Sequence, residues 1–337
     1  MTEIKKTLEI GGRTLTLKTG ILAPQATLAV TAQYGDTVVL ATVTSAPLRQ
    51  ELDYFPLSVE YQERLYAGGR IKGSRWVKRE GRPTDDEILK GRLIDRSIRP
   101  LFPKTYKMDV QVIATVLSVD MENDPAMTAG FAVSAALTAS SLPWGGPVSI
   151  LNVGLIDGEY VINPTNAQEE SSKMDLIVSA TKEAIIMVEA GANEVSEDEV
   201  IKGIEFAQKE SKQVFDFINE FAKEVGIEKE VVAKTEHDKA LVKAIAAIAE
   251  ERLPAVIDQM AKKEGKSAMW DELLAEVKAA VEPEQQVEAS IILDDMKKEI
   301  IRKNILKGVR PDGRKLDQVR VLSSAVGVLP RTHGSAL

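Results

Sequence analysis

Residues 7–20, TLEI-GG-RTLTLKTG, alternate apolar and polar positions around Gly11-Gly12, which predicts two strands joined by a tight turn. A β-branched run, YGDTVVLATVTSA (34–46), predicts further strand after the Gly35-Asp36 turn. Residues 62–83 are rich in Gly and Arg and read as a loop. Thr84-Asp85-Asp86-Glu87 has the spacing of a capping box, so a helix is expected to begin there and to end at Pro100 and Pro103. A strand over 110–119 and a small-residue helix over 125–140 complete a first α/β unit. The second half opens on VSILNVGLI-DG-EYVIN, a hairpin turning at Asp157-Gly158, followed by two apolar strands, MDLIVSAT and EAIIMVEA. Ser196-Glu197-Asp198-Glu199 is a second capping box, opening a long amphipathic helix that should stop at Gly226. From 235 to 307 the pattern becomes Ala-, Glu-, Lys- and Leu-rich with helical spacing, broken at Pro254 and Pro283, which predicts a separate all-α domain.

Residues 308–337 return to strand and turn chemistry. GVLPRTHGSAL (327–337) parallels GILAPQATLAV (20–30), and each follows a GGR or DGR turn, Gly11-Gly12-Arg13 and Asp312-Gly313-Arg314. The parallel suggests that the N-terminal unit begins again and that the chain stops inside its second copy. The expected segments are therefore 1–145, 146–228, 235–307 and 308–337.

Composition removes several classes of function. The 337 residues contain no Cys and two His, His237 and His333, which excludes disulfide scaffolds, thiolate catalysis and multi-histidine metal sites. No apolar run approaches the length needed to span a bilayer, and the N-terminus lacks the apolar core of a signal peptide. A cytoplasmic protein without membrane attachment is expected.

Charge changes the picture more. The chain carries −8 overall, yet residues 64–107 hold 13 Lys and Arg against five acids, a local +8. An acidic protein with one concentrated basic stretch is suited to holding a polyanion locally, or else carries a solvated basic loop. Within it, Trp76 stands beside Arg75, Lys78 and Arg79, with Arg82 close behind. An indole can stack on an unpaired base while the cations hold backbone phosphates, or it can anchor the loop to the core. In the following helix, Arg92, Arg96 and Arg99 fall within about 60° of arc. Between apolar flanks these guanidiniums need anionic partners, either phosphates or carboxylates such as Asp85, Asp86 and Asp95. A nucleotide cradle fits poorly, because Gly68–Arg75 lacks the Lys-Ser/Thr ending and does not lie between a strand and a helix. Asp120-Met121-Glu122-Asn123-Asp124 could bind a divalent ion, but a solvated turn suits it better.

GGRIKGSRWVKREGRPTDDEILKGRLIDRSIRPLFP (68–103), MVEAGANEVSEDEV (187–200) and RPDGR with VGVLPRTHGSAL (310–337) resemble the bacterial polynucleotide phosphorylase family, in order along essentially the whole chain. The resemblance implies an α/β (α+β) RNase PH-like core with mixed sheets and packed helices, a small all-α domain, and the opening of a second core. It implies 3′→5′ phosphorolysis of single-stranded RNA to nucleoside diphosphates in mRNA turnover, with inorganic phosphate as co-substrate and Mg2+ or Mn2+ assisting. It further implies a homotrimer, membership of an RNA-degradation assembly, and an RNA-binding track of Trp76, Lys78, Arg79, Arg82, Arg92, Arg96 and Arg99. The family's aromatic-aromatic-basic-basic loop is matched with Val77 at the second aromatic place and Lys78 at the first Arg place. Phosphate-binding serines and catalytic aspartates belong to the second core, beyond Leu337, so no complete catalytic set or metal ligand set is expected here. Arg331 and His333 alone lie on the substrate side of that core. The other expectations left open are a non-catalytic RNA-binding ring component and a structural or assembly fragment.

Overall fold

The computed structural model describes residues 3–48, 54–71, 81–103, 105–232, 237–261 and 268–337. They divide into two compact units, 1–234 and 235–337. Trp76, Lys78 and Arg79 lie outside the described residues.

The first unit begins with β1 (Ile4–Ile10) and β2 (Arg13–Thr19), paired antiparallel with Ile10 opposite Arg13 across the Gly11-Gly12 turn. Both glycines have positive φ. At Gly11 a Cβ would also fall 2.7 Å from the Ile162 carbonyl oxygen and 2.8 Å from the Tyr34 hydroxyl, so the backbone passes where no side chain fits. β3 (Leu28–Tyr34) and β4 (Thr37–Pro47) extend the meander. After β5 (Leu57–Glu63) and α1 (Asp85–Ile98), β6 (Met108–Ser118) inserts between β4 and β5. It runs antiparallel to β4 and parallel to β5, closing a six-stranded sheet in the order β1-β2-β3-β4-β6-β5.

α2 (Pro125–Ala139) is apolar all round, and every residue except Pro125 and Thr138 is buried. It lies in the core, packed on β3, β4 and β6. The second half comprises β7 (Ser149–Ile156), β8 (Glu159–Ile162), the single turn α3 (Asn166–Glu169), β9 (Met174–Ala180), β10 (Ile185–Ala192) and α4 (Glu197–Val225). The four strands form an antiparallel sheet in the order β10-β9-β7-β8. α2 and α4 pack on each other and on β7, so both halves share one continuous core. Arg13 ties them at the surface: its guanidinium donates to Asn123 Oδ1 and the Asn163 carbonyl while lying 4.7 Å over the Tyr34 ring.

The second unit contains α5 (Lys239–Ala249), α6 (Leu253–Ala261), α7 (Ala268–Ala279) and α8 (Gln286–Leu306). Their buried residues, among them Leu241, Ile245, Leu273, Val277 and Leu293, form a core of their own. Beyond α8 the chain has no further helix or extended strand. Ala325 and Leu337 exchange both backbone hydrogen bonds, at 2.9 and 2.8 Å, to close a small hairpin.

Candidate nucleic-acid interface

The basic stretch is held at its two ends by one carboxylate. Thr84 caps α1, and Glu87 reaches back to complete the box, accepting from Thr84 N at 2.7 Å and Thr84 Oγ1 at 3.0 Å. The other oxygen of Glu87 accepts from Glu63 N at 2.8 Å, where β5 ends. Glu87 therefore joins the end of β5 at Glu63 to the start of α1 at Thr84. Burial raises the Glu87 pKa, but the donated hydrogen bonds outweigh it and hold the carboxyl below its ordinary value.

α1 seals the free edge of β5. Gly91 is buried, and a Cβ there would stand 3.4 Å from the Val59 carbonyl oxygen and 3.5 Å from Tyr61 N. This close approach brings Arg99 to the start of β5, where its Nη2 donates to the Leu57 carbonyl at 2.9 Å. The same guanidinium grips Asp95 with two bonds, Nε at 2.9 Å and Nη2 at 2.6 Å. Lys90 is likewise spent, on Glu63 at 3.0 Å and Asp86 at 2.9 Å, with its ammonium 5.5 Å from the Tyr61 ring centroid. Burial would lower its pKa, but the two carboxylates more than offset this and raise it.

The three arginines of the helix thus divide. Arg99 is a strand-edge clamp: its donors go to Asp95, one of the carboxylates open to it from the sequence, and to the carbonyls of Leu57 and Phe55. Arg96 pairs with Glu189 of β10, both side chains remaining about half exposed. Arg92 is exposed and forms no hydrogen bond or ion pair with a described residue. Arg82, two residues before the cap, is in the same condition. The Arg70 side chain, which follows the short 3-10 turn Leu65–Gly68 and was not singled out by its sequence context, is also exposed and without a partner among the described residues, while its backbone N donates to the Leu65 carbonyl at 3.1 Å. Beside Arg92, Ile88 and Leu89 are 50% and 61% exposed, so the open face of α1 joins a cation to apolar surface. Arg331 and His333 lie at the tip of the 325–337 hairpin in the second unit, exposed and without hydrogen bonds to described residues.

The acidic run after β6 is a turn closed by its own hydrogen bonds. Asp120 accepts from Asn123 N at 2.8 Å, Glu122 N at 2.9 Å, Thr37 Oγ1 and Asp36 N at 3.0 Å, and Asn123 Nδ2 at 2.6 Å. Burial opposes its charge, but these donors hold its pKa down at about 2. Asp124 instead caps α2 through Ala126 N at 2.9 Å. Among the described residues no group of three or more acidic or His side chains could hold a metal ion, and no helix is long and apolar enough to cross a membrane.

The comparisons with known proteins agree with this architecture. Residues 11–143 match domain 1 of the 3′ exoribonuclease family, residues 146–210 its domain 2, and residues 240–315 the RNA-binding domain of polyribonucleotide nucleotidyltransferase. The polyribonucleotide nucleotidyltransferase of Staphylococcus aureus (strain MRSA252) is 44% identical across 98% of this chain and 48% of its own length. That of Heliobacterium modesticaldum is 45% identical, with 98% and 47% covered. The chain therefore spans about half the length of these curated relatives. The crystal structure of rice (Oryza sativa) Rrp46 superimposes with a TM-score of 0.51 at 17% identity, covering 65% of this chain and 94% of that one, and shows the same fold. With both exoribonuclease domains and the helical domain in order, the chain belongs to the 3′ exoribonuclease family, on its polyribonucleotide nucleotidyltransferase branch.

Proposed function

We propose that this chain supplies the RNA-guiding surface of a polyribonucleotide nucleotidyltransferase that degrades single-stranded RNA from its 3′ end. In the reaction inorganic phosphate attacks the terminal phosphodiester, and a nucleoside diphosphate leaves. The observation that carries the reading is the set of unpartnered guanidinium groups along the connection from β5 to α1 and on α1 itself. Segment 64–83 is pinned at both ends by Glu87, and Arg70, Arg82 and Arg92 around it have no anionic partner among the described residues. Guanidinium groups so presented suit phosphate, and the exposed Ile88 and Leu89 offer apolar surface to base or ribose. Trp76, Lys78 and Arg79 complete the track in this reading, the indole stacking on a base and the two cations holding phosphates. Arg96 joins it only by exchanging Glu189 for a phosphate.

In the acidic turn after β6, the Asp120 carboxylate is taken up by internal donors. No step is assigned to a metal in this chain. Phosphate and metal belong, in this reading, to the second core, with Arg331 and His333 on its substrate side. A homotrimer in the cytoplasm is the assembly that the family relationship supports.

The test is single-stranded RNA binding at low salt. Lys78→Glu combined with Arg79→Glu is expected to weaken affinity several-fold without changing the unfolding midpoint. Unchanged affinity would leave a structural or assembly role. Incubation of this chain with RNA and inorganic phosphate should release no nucleoside diphosphate; robust release would place the chemistry within these 337 residues.

A further inference from the structure

The two faces of the four-stranded sheet differ in character. Met174 and Leu176 of β9 turn toward α4, where a Cβ on Gly203 would stand 2.8 Å from Met174 Cε and 2.9 Å from Leu176 Cδ2. Asp175, between them, therefore points to the opposite face. Register sets Gly154 of β7 and Gly191 of β10 directly beside it, with Asn152 on the same face two residues back along β7. Asn152, Asp175 and Gly191 line a cavity of about 350 Å3 together with Glu169 of α3. A Cβ at Gly191 would meet nothing nearer than Asp175 Cβ, at 4.0 Å, so the space beside that carboxylate is open.

Asn152 is 4% exposed, and one of its polar atoms is left over. Its N donates to Asn163 Oδ1 at 2.9 Å, and its carbonyl accepts from Asn163 N at 2.7 Å. Its Nδ2 donates to Glu169 Oε1 at 3.3 Å. A carboxylate only accepts, so the amide nitrogen must face Glu169 and Oδ1 must face away. There Oδ1 has no partner among the described residues. A buried acceptor is costly to leave unmet, so a donor or a cation is required. The neighbouring charge decides between them. Burial raises the Glu169 pKa, and the carboxylates of Asp124 and Asp175 push it the same way. Ser172, also on the cavity wall, spends its hydroxyl on the Met174 carbonyl at 2.6 Å. Lys173 lines the cavity too, but it is exposed and pairs with neither carboxylate.

We propose that this cavity is a divalent-cation site, holding Mg2+ or Mn2+ through Asn152 Oδ1 and the carboxylates of Glu169 and Asp175. All three are hard oxygen donors, and two of them carry the charge that offsets the ion's own. The 350 Å3 of space leaves room for several of its waters, which Mg2+ gives up reluctantly. The ion joins α3 to β7 and β9 and satisfies the orphaned amide oxygen. No step of phosphorolysis is assigned to it, and the site needs neither RNA nor phosphate.

Mn2+ is titrated into the full chain at about 0.15 M salt, which screens diffuse binding to surface acids, and the free ion is followed by electron paramagnetic resonance. One saturable site per chain is expected, and Mg2+ should compete for it. Asp175 is exposed, so the isosteric Asp175→Asn removes a charged ligand without disturbing the core; affinity should fall at least about tenfold. Glu169→Gln should do likewise. Asp216→Asn, on α4 and outside the cavity, should bind as the native chain does. In EDTA, Asp175→Asn should unfold no earlier than the native chain, because it relieves repulsion with Glu169. Added Mg2+ should then raise the native midpoint alone, since the ion binds the folded site. Absence of a saturable site, or equal affinity in Asp175→Asn and the native chain, would overturn the assignment and leave Asn152 Oδ1 to a water molecule.

Discussion

Arg92 lies on α1 and Arg99 is its C-cap, seven residues on, yet their surroundings give them opposite tasks. Arg99 holds Asp95 with two bonds and covers the Leu57 carbonyl at the edge of β5. Arg99→Ala should therefore cost about 1–3 kcal/mol in urea unfolding, because it strips a charge-assisted pair and exposes a strand edge. Arg92→Ala should change stability by less than about 0.5 kcal/mol, since the side chain is exposed and has no partner among the described residues. Equal losses for both variants would contradict this division. Asp120 makes a prediction about pH. Its folded pKa of about 2 lies below the ordinary 3.8, so its contribution is fully present above about pH 4 and is lost as pH falls toward 2. Asp120→Asn should flatten the acid limb of the stability curve in that window; an unaltered slope would show that the five donors do not discriminate the charged form.

Glu87 and Gly91 act at the scale of the element. Glu87 joins the start of α1 to the end of β5, so Glu87→Ala removes both half of a capping box and the pin at the loop base. A loss of about 1–2 kcal/mol is expected, together with weaker RNA binding because the basic segment is no longer held at its root. Stability loss without any change in binding would separate the loop base from the RNA track. Gly91→Val should displace α1 from β5 and cost about 1–3 kcal/mol through overpacking, read from the unfolding midpoint. The hairpins at Gly11-Gly12 and Asp157-Gly158 and the helices opened by Thr84 and Ser196 were legible in the sequence, because turn and cap chemistry is local. The parallel pairing of β5 with β6 was not: LSVEYQE alternates as a strand should, but alternation does not name a partner, and the partner lies some 50 residues away. For the same reason sequence periodicity placed Arg92, Arg96 and Arg99 on one face but could not show which had partners. The carbonyls that Arg99 covers belong to residues 42 and 44 positions upstream.

Across the whole molecule, net charge and local charge oppose each other. The chain is −8 overall, so long-range attraction does not bring RNA to it, and binding must come from short-range contacts in the +8 stretch. The most direct test is the salt dependence of single-stranded RNA affinity, measured for the native chain and for Arg82→Glu with Arg92→Glu. Each phosphate contact to a single strand contributes about −0.7 to the slope of log K against log salt. The double variant should bind several-fold more weakly at low salt, with a slope shallower by about 1.4. Superimposable salt curves for the two proteins would show that RNA is held elsewhere, or not at all.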